Sequence, residues 1–409
     1  MKHRVAVTGM GVVCPLGSSV DEFVEGLLAG RSGVREISVF DASTLPTRIA
    51  GEAELPEEAP LGDRKIAFAL EAARQAMLAA GSQGAPPKLA EDAGISFGVG
   101  LELFSMNDLV ASRRAGFQLP EGIAERLSFM QTPSDLCVHL MAKEHGFFAP
   151  PLVHVSACAA GTDAIGAAYR MVASGRRRSM LCGGTDSMIN PLGVAGFCAL
   201  SATSTRNEDP ARASRPFDKT RDGFVMGEGA GALLLERWDD AVARGAPILG
   251  EVSGYGASFD AHGISEPHPE GRGAWQAMKR ALDDAGIAPE EIDAVNSHGT
   301  GTPKNDPVET LALKTLLGVR AKNVPVSATK SMIGHLISAA GAVEAIAALA
   351  CMRRGVVHPT INLETTDPEC DLDYVAEKRA RHHAQRHVLS TSYGFGGHNA
   401  AIVLSRGSA

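Results

Sequence analysis

Short β-branched runs alternate with Ala-rich runs of helical spacing along nearly the whole 409-residue chain. Val5-Ala6-Val7-Thr8 opens the alternation, and comparable runs lie at 94–98, 152–156, 179–183, 231–236, 248–258, 294–297, 325–327, 388–391 and 400–405. Helical stretches stand between them, at 19–28, 65–80, 133–145, 163–174, 271–285, 307–317 and 341–353. Few architectures satisfy such a pattern. Strands alternating with helices predict layered α/β structure, with helices covering the sheet faces. At this length, and with 44% hydrophobic residues, the chain can bury a core shared by two closely packed halves. An internal echo points the same way. Residues 155–172 read as a strand end, Ser-Ala, a tight turn and an Ala-rich helix, and residues 326–350 repeat that plan with Ser-Ala-Thr-Lys and a Gly-rich turn. Two related halves, 1–245 and 246–409, account for the echo.

The formal net charge is −8 and no long Lys/Arg run occurs, which argues against a nucleic-acid-binding surface. Local basic groups remain open to an acidic partner: Arg64 and Lys65, Arg113 and Arg114, and Arg176-Arg177-Arg178. The last triplet otherwise reads as positive charge at a helix C-terminus. Seven Cys, an odd number with no Cys-x-x-Cys spacing, suggest neither a disulfide framework nor a zinc site and fit a reducing compartment. His382, His383 and His387 come closest to metal-ligand spacing, but beside Arg381 and Arg386 they read as a solvated basic turn. No signal-peptide pattern precedes Val5, and no apolar window is long enough to span a bilayer, so a cytoplasmic protein without membrane contact is expected. Gly9-Met10-Gly11 is no dinucleotide fingerprint, since Cys14 holds the third glycine position and no acidic residue follows at the required spacing.

Four segments carry chemistry. Cys158 lies where the strand-like run 152–156 turns into a helix-like run through Ala157, Ala159, Ala160 and Gly161. A thiol at a strand-to-helix elbow, near the positive end of a helix dipole, is expected to have a lowered pKa and to act as a nucleophile. Asn296-Ser297-His298-Gly299-Thr300-Gly301-Thr302 offers an imidazole on a turn at a strand end. Lys330-Ser331-Met332-Ile333-Gly334-His335 brings a Lys and a His to the start of an otherwise apolar helix. Groups so desolvated must be paired, and Glu344 on that helix is the natural counter-charge for Lys330. Gly394-Phe395-Gly396-Gly397-His398-Asn399 lets the backbone approach a ligand closely. A thiol, two imidazoles, an ammonium and free backbone amides together suit acyl transfer through a thioester, with stabilisation of a developing oxyanion.

With Val7–Val13, Arg215-Pro216-Phe217-Asp218 and Arg221–Gly231, these segments resemble, in order and spacing over nearly the whole chain, the elongating β-ketoacyl-acyl carrier protein synthases of the thiolase superfamily. The resemblance implies a thiolase-like fold of two duplicated αβαβα halves forming a five-layered core. It implies a decarboxylative Claisen condensation of malonyl-carrier protein with a Cys-bound acyl chain, in fatty acid or polyketide elongation. Cys158 would accept the acyl chain, and His298 and His335 would hold the malonyl thioester carbonyl. Lys330 would organise the site through Glu344. The amides of Cys158 and Phe395 would form the oxyanion hole, with the Phe395 ring as gate. Thr300 and Thr302 would contact the phosphopantetheine arm, and Leu101, Ser265, Gly394 and Gly396 would complete the substrate-binding set. No cofactor or metal is implied, since the substrates ride on acyl carrier protein. A homodimer is the default, and a heterodimer with a chain-length-factor-like subunit is the alternative. A non-catalytic pocket-shaping subunit would lack the nucleophile, whereas Cys158, His298, Lys330 and His335 are all present. Thiolases would carry a second Cys in the Gly394 loop, and chain-initiating synthases would lack the second His. Leu101, Glu102 and Leu103 depart from the family's Gly-x-Gly-Ile-Gly-Gly segment, and 260–265 from its Asp-Ala-Tyr-His-Met-Thr, which leaves chain length and substrate open.

Overall fold

A computed structural model describes residues 2–55, 63–100, 113, 114, 116 and 135–407. The apolar runs become strands β1 (Val5–Val13), β2 (Gly94–Val99), β3 (Leu152–His154), β4 (Ser179–Asp186) and β5 (Gly229–Arg237), then β6 (Gly250–Phe259), β7 (Ala294–Asn296), β8 (Val326–Ser327), β9 (His387–Gly394) and β10 (His398–Ser405). They form one ten-stranded sheet, in the order β8-β7-β9-β10-β6-β1-β5-β4-β2-β3. The strand order of the first five, 3-2-4-5-1, recurs in the second five as 8-7-9-10-6. The two arrays join where β1 and β6 pair antiparallel, Ala6 with Glu251 and Val7 with Gly250.

Helices complete five layers. Helix α1 (Arg64–Ala80) covers the outer face of the first array against β1 and β5, and α4 (Arg272–Ala285) covers the second against β6 and β10. Between the arrays lie α2 (Ala160–Ala173) and α6 (Ala340–Arg354), packed on each other and on both arrays. Every residue of α6 from Ala340 to Met352 is buried. A helix with no polar stripe is stable only inside a core, which explains why the residues of that stretch are small or apolar apart from Glu344. The central cluster joins Val5, Val7, Tyr169, Val252, Ile346 and Leu404, residues of both halves.

The glycines of Gly9-Met10-Gly11 sit inside β1, although a strand ending at Thr8 is predicted from sequence. A Cβ on Gly9 or Gly11 would collide with the carbonyl oxygens of Ala76 and Ala72. These glycines let α1 lie directly on the strand; they do not turn the chain. Helix α3 (Pro191–Ala199) is not anticipated by the sequence reading, although Asn190-Pro191 marks its start: the Asn190 side chain accepts from the amides of Leu192 and Gly193.

Several charged residues differ in placement from their sequence reading. Lys65 is 3% exposed and pairs with Asp63 at 3.0 Å, so it is too buried to meet a docking protein. Arg64 pairs with the buried Glu228, and Arg178 with Asp240. His383 and His387 share no helix: their ring nitrogens bond the Asp293 carbonyl at 2.9 Å and Ser405 Oγ at 2.8 Å. Among the described residues no helix is long and apolar enough to cross a membrane.

Candidate active site

Cys158 occupies a single 3-10 turn, Ala157–Ala159, that feeds directly into α2. Ala157 adopts φ 49°, a left-handed conformation disfavoured for a residue with a Cβ. Ser156 Oγ holds the turn by donating to Asp163 Oδ2 at 2.5 Å, and Tyr255 OH, from the second half, donates to Asp163 Oδ1 at 2.7 Å. The loop after β9 presses against the turn. A Cβ on Gly394 would stand 2.8 Å from the Ser156 carbonyl oxygen and 3.2 Å from the Cys158 nitrogen, so only glycine permits this approach. Through it the backbone N–H of Phe395 joins that of Cys158 beside the sulfur.

The thiol does not rest as a thiolate. Burial pushes its pKa up to about 11, against the opposing pull of Lys330 and the two amides. The sequence expectation of a lowered pKa weighs the helix dipole without the loss of water. With Cys158 5% exposed, desolvation wins.

His298 and His335 face each other with ring centroids 5.3 Å apart, nearly perpendicular. Their partners assign the tautomers. His298 Nδ1 lies 3.3 Å from Lys330 Nζ, which can only donate, so its proton sits on Nε2. His335 Nδ1 accepts from the Ile337 amide at 3.1 Å, so its proton also sits on Nε2. Burial, and then the Lys330 charge, hold both imidazoles well below their usual pKa, so both are neutral. The cavity therefore receives two neutral N–H donors.

Lys330 is 1% exposed and has no donor to spare. Its Nζ binds Glu344 Oε1, the His298 carbonyl at 2.7 Å and His298 Nδ1. The pairing with Glu344 inferred from sequence is realised. Two further carboxylates escape the sequence reading. Glu309 accepts from the amides of His298 and Gly299, each at 2.8 Å, and from Thr391 Oγ1 at 3.0 Å. Asp306 accepts from the amides of Phe217 at 2.7 Å and Gly301 at 3.2 Å. Both stand on helix α5 (Asn305–Leu317), beneath the 298–302 loop. The available signal is an Asp and a Glu one helical turn apart just after that loop.

A cavity of roughly 300 Å3 gathers Cys158, His298, His335, Thr300, Thr302, Ser265, Gly394 and Phe395, with Phe197 and Phe224 as apolar walls. Thr300 Oγ1 and Thr302 Oγ1 lie 3.1 Å apart, and Ser265 is exposed at the rim. Lys330 and Glu344 stand behind the histidines. Gly396 is not on the wall; its amide donates to the Ile264 carbonyl at 2.6 Å and ties the Phe395 loop to the 260–265 loop. Leu101, Glu102 and Leu103 lie outside the described residues.

A five-layered αβαβα fold with a buried thiol, two amides and two neutral imidazoles around one cavity defines a thiolase-like acyl-transferring enzyme. Sequence models for the Beta-ketoacyl synthase N-terminal and C-terminal domains match residues 2–241 and 249–364. The chain is 42% identical to a 3-oxoacyl-[acyl-carrier-protein] synthase 2 of Synechocystis sp., over 99% of this chain and 98% of the relative. It superposes with a TM-score of 0.89 and 30% identity on the ketosynthase structure of a type II PKS acyl-carrier protein in complex with its ketosynthase bound to the hexaketide, over all of both chains. The ishigamide ketosynthase/chain length factor gives 0.87 and 34%, again over all of both chains. The protein belongs to the β-ketoacyl synthase family.

Proposed function

We propose that this β-ketoacyl synthase elongates acyl chains carried on acyl carrier protein, with Cys158 as nucleophile and the His298/His335 pair as the decarboxylation site. The observation that carries the reading is the convergence of two neutral Nε2–H donors on the cavity that holds Cys158. In the first half-reaction the Cys158 sulfur attacks the acyl thioester. The C–S bond to the carrier breaks, and the carrier thiol leaves with the cysteine proton. In the second, the bond between the malonyl α-carbon and its carboxyl breaks and carbon dioxide departs. The electron pair passes into an enolate whose oxygen takes hydrogen bonds from His298 and His335. The α-carbon then attacks the Cys158 thioester. The oxyanion rests on the amides of Cys158 and Phe395, and collapse expels the Cys158 sulfur as a thiolate, which takes a proton from water to regain the resting thiol. Charge develops on oxygen in each step, and the site meets it with oriented donors rather than with a free base.

Thr300 and Thr302, on the cavity wall, suit the amide-rich phosphopantetheine arm, and the chemistry calls on no further cofactor. The reading places the enzyme in the cytoplasm. It assigns the nucleophile to a half spanning 1–245 and the His/Lys set to a half spanning 246–409. The repeated strand order and the meeting of the two family matches between 241 and 249 support this division. A homodimer is the principal assembly. Likeness to a ketosynthase/chain length factor structure favours, as second reading, the catalytic half of a heterodimer.

The deciding experiment supplies malonyl-carrier protein with acyl-carrier proteins of graded length and identifies products by mass spectrometry. Extension of at least one acyl donor by two carbons is expected, and none with any donor refutes the homodimeric reading. Cys158→Ala should abolish extension. Cys158→Gln should release carbon dioxide from malonyl-carrier protein without condensing it. Absence of that release removes the role given to the two histidines.

A further inference from the structure

The second half contains the same turn that presents Cys158. Ala157–Ala159 leads into α2 at Ala160, and Ile337–Ala339, another single 3-10 turn, leads into α6 at Ala340. The first residue of each turn is left-handed, Ala157 at φ 49° and Ile337 at φ 45°. Ser338 stands where Cys158 stands. The two turns touch: a Cβ on Gly161 would press on the Ser338 carbonyl, and a Cβ on Gly341 would press on Thr162.

The first turn holds its amide ready beside the sulfur. The second has its amide already filled, since Ser338 N donates to Asp186 Oδ2 at 3.0 Å. Asp186, at the end of β4, is 1% exposed, and among the described residues its Oδ1 has no hydrogen-bond partner. A carboxylate buried with one oxygen unpaired is costly. Ser338 Oγ in turn reaches the Ala157 carbonyl at 3.5 Å, inside the strained residue that orients Cys158.

We infer that the second half carries a disarmed copy of the nucleophile turn, that Asp186 is its built-in anion, and that Asp186 is thereby a positioning residue for Cys158. Relative to Ser338, Asp186 occupies the place that a developing oxyanion takes relative to Cys158. Filling that amide holds the 337–339 turn rigid, and Ser338 passes the constraint to Ala157. Asp186 also sets a negative charge near the sulfur, opposed by Lys330, and the Lys65 charge acts on Asp186 in turn. That charge disfavours the thiolate in the unloaded enzyme.

The inference rests on Cys158 as nucleophile, so the test reads Cys158 directly, by iodoacetamide alkylation located by peptide mass spectrometry and by the rate of acyl loading from acyl-carrier protein. Asp186→Asn keeps an acceptor for the Ser338 amide and removes the charge. It should load acyl groups at near wild-type rate and alkylate faster, on the order of threefold or more at a fixed pH. Asp186→Ala removes the acceptor and should slow loading by on the order of tenfold with KM for the carrier unchanged. Ser338→Ala should fall between wild type and Asp186→Ala. Wild-type loading by Asp186→Ala overturns the inference. So does an Asp186→Asn variant that loads as slowly as Asp186→Ala, or that alkylates no faster than wild type. If Asp186→Ala does not fold, the Asn and Ser338 variants still decide. A Cys158→Ala control that still accepts an acyl group would sink the nucleophile assignment instead, and the same assay separates the two failures.

Discussion

Cys158 is a buried thiol, and its reactivity follows from that. With a pKa raised to about 11, its thiolate fraction grows about tenfold for each pH unit through the neutral range. Alkylation of the resting enzyme should rise at that slope, without a plateau, between about pH 7 and pH 9. A plateau below about pH 8 would mean that the amides and Lys330 outweigh burial. Glu309 acts at the next remove, since it holds the amides on either side of His298. Gln can accept from one of them but meets the other with its own N–H. Glu309→Gln should therefore reduce condensation by about ten- to a hundredfold and leave Cys158 alkylation unchanged. Burial raises the carboxyl pKa of Glu309 to about 7 and of Asp186 to about 6. The sign follows: the native state keeps these protons to higher pH than the unfolded chain does. Their contribution to stability is full below about pH 4 and is lost as pH rises through about 6 to 7. Asp186→Asn should abolish part of that decline, measurable as a smaller fall in urea midpoint across the window.

At the scale of elements, close backbone approach decides more than propensity. All ten strands of the main sheet were legible because β-branched runs are local, but β1 runs past Thr8 because α1 needs glycine beneath it. The turn that carries Cys158 depends likewise on Gly394. Gly394→Ala places a Cβ between the Ser156 carbonyl and the Cys158 amide, and should slow acyl loading far more than it lowers stability. Gly9→Ala meets α1 instead, far from the cavity. It should cost about 1–3 kcal/mol of stability, with acyl loading per folded molecule unchanged. A Gly9→Ala variant with the reverse pattern, stable but slow, would mean that α1 controls the site. Helix α3 went unread because its small apolar residues imitate a loop, and only the Asn190 cap marked it.

At the scale of the molecule, the two halves share one core. Helices α2 and α6 bury their faces against each other and against both arrays, and Tyr255 reaches across to Asp163. Either half alone would expose the inner face of its array. Fragments 1–245 and 246–409 expressed separately should therefore aggregate or show no cooperative unfolding, while the whole chain unfolds in one transition. A soluble, cooperatively folded fragment would contradict the shared core.

The amino-acid sequence alone determined the layered α/β class, the duplicated plan, the elongating-synthase resemblance and the identities of Cys158, His298, Lys330, His335 and Glu344. Those are written in local periodicity and in short motifs, which need no knowledge of what lies across the core. Only the tertiary structure decided that the thiol rests protonated, that both imidazoles carry their proton on Nε2, and that Asp306 and Glu309 brace the 298–302 loop from behind. Desolvation and hydrogen-bond partnership are sums over neighbours far apart in the chain: Ser338 meets Asp186 and Ala157 across 152 and 181 residues, and no pattern along the chain records that meeting.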